Sequence, residues 1–179
     1  MKNHVIIYLV PIASDDNLKY CIEDYIYRNH LSTSWCLYRT ENGKPLILKN
    51  DFYYSKTITE DFIAHAFSLI PLSIDFQKRI NNDAYLRVAQ RFYHPDELTF
   101  VVKAGIDGFY KTWCAKECYI KYYDLRIEQD FPHFSSLPLL NNTTKHLHYI
   151  PLELNFNIYG GLLTSEPVTY EFITFHKDH

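Results

Sequence analysis

The stretch Phe109–Asp124, FYKTWCAKECYIKYYD, decides the reading of this chain. At about 100° per residue, Phe109, Trp113 and Ile120 fall on one helical face. Thr112, Tyr119 and Tyr123 widen that stripe on one side. Glu117 and Lys121 lie along its other edge, one turn apart. Lys116 falls inside the stripe, where a charge needs a partner or must snorkel outward. Spacing alone allows an ordinary reading, because a Glu four residues before a Lys is a common exposed pair contributing ~0.2–0.5 kcal/mol.

Working outward, the 179 residues suffice for one ordinary domain or two small, closely packed halves. A hydrophobic content of 47%, with 17% aromatic residues, supports a real core and argues against disorder. The net charge of −3 leaves no general basic field, so nucleic acid is not an expected partner. Neither a G-x-G-x-x-G nor a Walker loop occurs, so any phosphate must be held by side chains and a metal. Cys21, Cys36, Cys114 and Cys118 lack C-x-x-C spacing, which fits reduced thiols in a cytoplasmic protein. The run Val5–Val10 is cut by Pro11 and is too short to span a membrane. It reads as a strand.

Further elements follow from local pattern. Ser14-Asp15-Asp16 supplies cap chemistry for a helix over about Asn17–Arg28. Trp35–Arg39 is β-like, and Asn42-Gly43 marks a turn. Phe62–Ser68 and Ile70–Phe76 read as paired strands. A helix is expected over Arg79–Phe92, with Tyr85, Leu86, Val88, Ala89 and Phe92 inward and Arg87 and Arg91 outward. His94-Pro95-Asp96-Glu97 restarts a helix with proline at an early position. Asp130–Thr144 reads as irregular. His148–Ile158 and Val168–Phe175 read as a closing antiparallel pair. The fold class is α+β.

Trp113-x-x-Lys116-Glu117-x-x-x-Lys121 resembles the signature of the 4'-phosphopantetheinyl transferases. Gly43-Lys44-Pro45 is similar to that family's Gly-Lys/Arg-Pro element. Ser55-Lys56-Thr57 occupies the place of its Asn-x-Ser-His-Ser/Thr element, with Lys56 where histidine is usual. Ser73-Ile74-Asp75-Phe76-Gln77 stands for Gly-Ile/Val-Asp-x-Glu, with Ser73 and Gln77 as departures. Arg91–Glu97, RFYHPDE, resembles the Arg-Phe-Phe-x-x-x-Glu segment between the two motifs. After Lys121 the family's Gly-x-Gly turn is replaced by Tyr122-Tyr123-Asp124-Leu125. Independently of the resemblance, Asp75 inside an apolar run needs a reason, because an unpaired buried charge is costly; a metal or a lysine such as Lys121 would supply one, and the ordinary alternative is an Asp at a strand end facing solvent.

The resemblance implies a fold of two pseudo-symmetric halves, residues 1–70 and 71–179, each a small antiparallel sheet packed with a helix, closest to the two-halved Sfp type. It implies Mg²⁺-dependent transfer of phosphopantetheine from coenzyme A to a serine of an apo carrier protein, with release of 3',5'-ADP. Asp75, Glu117 and Lys121 are then the expected catalytic residues. Asp75, Glu117 and Gln77 are the expected metal ligands. Lys44, Ser55, Lys56 and Lys116 are expected to hold the coenzyme. A monomer is expected, with no membrane association. The departures at Lys56, Ser73 and Gln77 keep open a non-catalytic member that binds coenzyme A, a nucleotide or a partner protein.

Overall fold

Alternating apolar side chains build most of the architecture. The computed structural model describes residues 3–12, 17–155 and 157–174. Strands β1 (His4–Pro11), β4 (Tyr53–Ile58), β5 (Phe62–Ser68) and β9 (Thr169–Thr174) form one sheet in the order β4-β5-β1-β9. Strands β6 (Leu72–Lys78), β7 (His148–Asn155) and β8 (Ile158–Thr164) form a second, in the order β6-β8-β7. A hairpin of β2 (Cys36–Arg39) and β3 (Pro45–Leu48) stands apart. All pairs are antiparallel except β1 with β9.

The period of two sorts each strand's side chains between two cores. From β1 and β5, Ile6, Tyr8, Ile63 and Phe67 pack on helix α1 (Leu18–Asn29) through Ile22, Tyr25 and Ile26. From the same strands, Val5, Ile7, Ala64 and Ala66 pack on Leu72, Ile74, Phe76 and Leu162 of the second sheet. The two sheets therefore lie face to face. Every residue of β5 is buried, because both of its faces are covered. On the outer face of the second sheet lies α3 (Pro95–Tyr123), where Ala115 and Cys118 meet Tyr149 and Leu163.

Gly160 and Gly161 make this packing possible. A Cβ at Gly160 would collide with the Phe76 ring, and one at Gly161 with the Tyr149 ring. Glycine in a strand interior marks such close approaches.

Helix α3 begins in a capping box. The His94 side chain accepts from Asp96 N, and Glu97 Oε2 accepts from His94 N at 2.8 Å. Pro95 occupies the first turn, as its fixed φ and missing N–H favour. The helix breaks at Gly105, whose φ of 67° suits a residue without a Cβ. Its continuation carries the stripe of Phe109, Trp113 and Ile120.

The charge inside that stripe has a partner. Lys116 and Glu97 are both fully buried and form an ion pair of 2.9 Å. Lys116 Nζ also donates to the Phe134 carbonyl at 2.7 Å and sits 4.0 Å from the Phe134 ring centre. Glu97 Oε1 accepts from the backbone N–H and the hydroxyl of Ser136, at 2.6 and 2.7 Å. The pair thus ties the two portions of α3 to the segment 131–136.

Several local expectations are corrected. Strand β6 pairs with β8, and β5 with β1 and β4, because the connection through Pro71 carries the chain into the other layer. Strand β7 pairs with β8 across a short turn, while β9 returns to lie parallel to β1. Helix α2 (Ala84–Phe92) starts later than Arg79, whose N–H instead donates to Asn157 O beside the sheet. Leu86 faces outward on it. Within 130–144 the chain makes short turns, including a 3-10 turn Phe131–His133 and α5 (Leu137–Leu140). The cap expected at Ser14-Asp15-Asp16 lies outside the described residues, as does Phe175.

Two stability outcomes follow. Lys116→Met leaves a buried carboxylate without its cation and should cost about 3–5 kcal/mol in denaturant unfolding, with Lys116→Met/Glu97→Gln losing less. Gly160→Ala should cost about 1–3 kcal/mol by overpacking against Phe76, read in the same assay.

Candidate active site

Once α3 is seated, its next residues are aimed at β6. Ser73 Oγ donates to the Cys118 carbonyl at 2.6 Å and pins strand to helix. One turn of helix beyond Glu117, Lys121 Nζ reaches Asp75 Oδ1 at 2.6 Å and the Ile74 carbonyl at 3.2 Å. Thr57 Oγ1 donates to the same Asp75 oxygen at 3.1 Å. Gln77 Nε2 donates to Asp75 Oδ2 at 2.9 Å. Asp75 is 1% exposed, and these donors are what make its burial tolerable.

Asp75, Gln77, Glu117 and Lys121 line one open cleft of about 400 Å³, with Arg39, Pro45, Lys56 and Thr57 on its other walls. Burial pushes the Glu117 carboxyl up to about 7, and the Asp75 charge adds to that rise, while Lys121 opposes it. Burial pulls the Lys121 ammonium downward, but Asp75 and Glu117 outweigh it and hold the pKa above its ordinary value. The site therefore pairs a firmly protonated lysine with a carboxyl poised near neutrality.

A larger cleft of about 490 Å³ adjoins it, sharing Pro45, Lys56 and Lys121. Lys44, Ser55 and residues of the 124–129 segment also line it. Lys44 Nζ donates to the Tyr122 carbonyl at 2.8 Å, at the C-terminal end of α3 where cations are favoured. Burial lowers its pKa, and Asp124 offsets part of that. Ser55 Oγ accepts the Ile74 N–H at 3.0 Å, and Thr57 Oγ1 accepts the Phe76 N–H at 3.3 Å. These hydroxyls stitch the edge of one sheet to the edge of the other. Lys56 lies between them on β4 and borders both clefts.

The structure brings together seven of the eight residues singled out from sequence. The exception is Lys116. The resemblance implies a place at the coenzyme, but its side chain turns into the core and its ammonium is taken by Glu97 and the Phe134 carbonyl. Helical geometry explains this: one residue is a 100° rotation, which separates Lys116 from the Glu117 edge. The motif that contains Thr57 gave no sign of its grip on Asp75, because that bond spans 18 residues of chain.

The hairpin turn also meets α3. Thr40 Oγ1 donates to Asp124 Oδ1 at 3.0 Å, and Asn42 Nδ2 donates to Asp124 O at 2.6 Å. Asp124 caps α3 in the left-handed region at φ 56°. It does there what a glycine does more easily.

A family model described as the 4'-phosphopantetheinyl transferase superfamily matches residues 72–163, just over half of the chain. The chain belongs to this superfamily, whose members are transferases of the phosphopantetheine group. The matched stretch runs from β6 into β8 and includes Asp75, Gln77, Glu117 and Lys121. A search of curated proteins returns no match.

The Glu117 titration is directly measurable. Carbon-detected NMR should place it near 7 and show it falling part of the way toward 4.5 in Asp75→Asn, burial keeping the remainder. The folded pKa lies above the unfolded value. Glu117 therefore costs stability progressively as pH rises from about 4.5 to about 7, and Glu117→Gln should flatten that slope.

Proposed function

We propose that this protein transfers the phosphopantetheine arm of coenzyme A to a serine of an apo carrier protein, releasing 3',5'-ADP. The observation that carries the reading is the convergence of Asp75, Glu117 and Lys121 on one cleft continuous with a second cleft bordered by Lys44, Ser55 and Lys56. The two clefts give a pyrophosphate and an extended nucleotide adjoining places. Residues 1–70 and 71–179 are read as two halves of one monomer, with β9 crossing back from the second into the sheet of the first, and the coenzyme would lie between them. Among the described residues no helix is long and apolar enough to cross a membrane.

The carrier's serine oxygen bonds to the phosphorus that bears the pantetheine arm. The bond from that phosphorus to the oxygen of the adenosine-side phosphate breaks. Glu117, with its pKa raised to about 7, takes the serine proton. Lys121, held by Asp75, meets the charge gathering on the leaving phosphate. Gln77 and Thr57 hold Asp75 in register for Lys121. Lys44, Lys56 and the Ser55 hydroxyl hold outer phosphates.

The donor set fits Mg²⁺. Asp75 and Glu117 would supply hard carboxylate oxygens to one open cleft. Among the described residues no group of three or more His, Cys, Asp or Glu could hold a metal. Water and substrate oxygens would complete the shell, as is usual for Mg²⁺. When bound, the ion offsets charge on the pyrophosphate.

A second reading is binding without turnover. Gln77 favours it, because its amide N–H donates to Asp75 where the family pattern has a third acid. Intact mass of apo acyl- and peptidyl-carrier proteins, after incubation with the protein, coenzyme A and Mg²⁺, separates the two. Transfer should add one phosphopantetheine and fall about 10²–10⁴-fold in Glu117→Ala, with Asp75→Ala also impaired. Mg²⁺-dependent coenzyme A binding without transfer would support the second reading, and absence of coenzyme A binding would overturn both.

A further inference from the structure

The turn that follows α3 places a guanidinium at the larger cleft. Arg126 is exposed and lines that cleft but not the smaller one. Its Nε donates to Asn42 Oδ1 at 2.8 Å, and Asn42 is itself anchored on the Asp124 carbonyl. Its backbone N–H donates to Asp130 Oδ2 at 2.8 Å, which fixes the start of α4 (Ile127–Asp130). The stem of the side chain is thus held from both ends. Among the described residues, the terminal nitrogens of the guanidinium have no hydrogen-bond or ion-pair partner.

Charge in the cleft favours an anion. Lys44, Lys56, Lys121 and Arg126 line it against Asp124 and Glu128. The Asp124 carboxylate already accepts from Thr40. Lys121 and Lys56 border the smaller cleft as well, so a pyrophosphate reaching Asp75 and Glu117 would occupy their end. Any further phosphate of the same ligand would extend into the larger cleft, which Arg126 lines. A guanidinium with both terminal nitrogens available matches a dianionic phosphate monoester, and holding it in advance reduces the entropy lost on binding.

We infer that Arg126 is a specificity residue that selects a coenzyme bearing a terminal phosphate monoester over the same coenzyme without it. The inference rests on the coenzyme A reading above. Arg126 directly follows Tyr122-Tyr123-Asp124-Leu125, the stretch that replaces the family's Gly-x-Gly turn, so no motif assigns it.

Calorimetric titration of the full chain, with Mg²⁺ present, compares coenzyme A with 3'-dephospho-coenzyme A. Wild type should prefer coenzyme A, and Arg126→Gln should reduce that preference by roughly tenfold while leaving 3'-dephospho-coenzyme A affinity unchanged. Asn42→Ala, which frees the guanidinium from its anchor, should reduce the preference by a smaller factor. Thermal melts of both variants check that the fold is retained. A preference unchanged in Arg126→Gln, or an equal loss for both ligands, overturns the role of Arg126 while coenzyme A binding stands. Failure of wild type to bind either ligand overturns the coenzyme A reading and this inference together.

Discussion

The buried pair of Lys116 and Glu97 sets the orientation on which the cleft depends. Two charges at zero exposure persist because each is saturated: Glu97 by Lys116, Ser136 and the His94 N–H, Lys116 by Glu97, the Phe134 carbonyl and aromatic faces. Such a pair is not strong evidence of net stability, since desolvation offsets much of the attraction. Its directional bonds, however, admit one rotation of α3. With Lys116 turned into the core, Glu117 and Lys121 present their edge to β6.

A second constraint acts at the sheet edges. The neighbouring strands β4 and β6 belong to different sheets. They are joined through Ser55 and Thr57, whose hydroxyls accept the N–H groups of Ile74 and Phe76. Edge N–H groups that would otherwise lack partners are satisfied, and the two facing sheets are tied together along this edge. Asp75 lies between those two N–H groups. Its carboxylate is consequently fixed by strand, helix and opposite sheet at once, through Gln77, Lys121 and Thr57.

These contacts also give physical meaning to the departures from the family pattern. Ser73, in place of glycine, uses its hydroxyl to bond the Cys118 carbonyl. Gln77, in place of an acid, becomes a donor to Asp75 and adds no further negative charge beside Glu117. Asp124, in the stretch that replaces the Gly-x-Gly turn, is stabilised in the left-handed region by Thr40 and Asn42 from the β2–β3 turn. The Glu that ends RFYHPDE serves both the cap of α3 and the buried lysine.

The sequence by itself determined the α+β class, α1, the proline-started turn at His94–Glu97, the helix through Phe109–Asp124, and the Glu117–Lys121 edge. These rest on periodicity and capping, which act within a few residues. The ordered motifs likewise mark Lys44, Ser55, Asp75, Gln77, Glu117 and Lys121. Only the tertiary structure decided strand partners, because a strand's own apolar pattern does not say which layer it enters, and pairing depends on that layer. It also decided that Lys116 belongs to the core, since its partner lies 19 residues away on the other portion of α3. The grip of Thr57 on Asp75 and the anchoring of Arg126 by Asn42 are of the same kind: contacts between residues far apart in sequence, which local pattern does not encode.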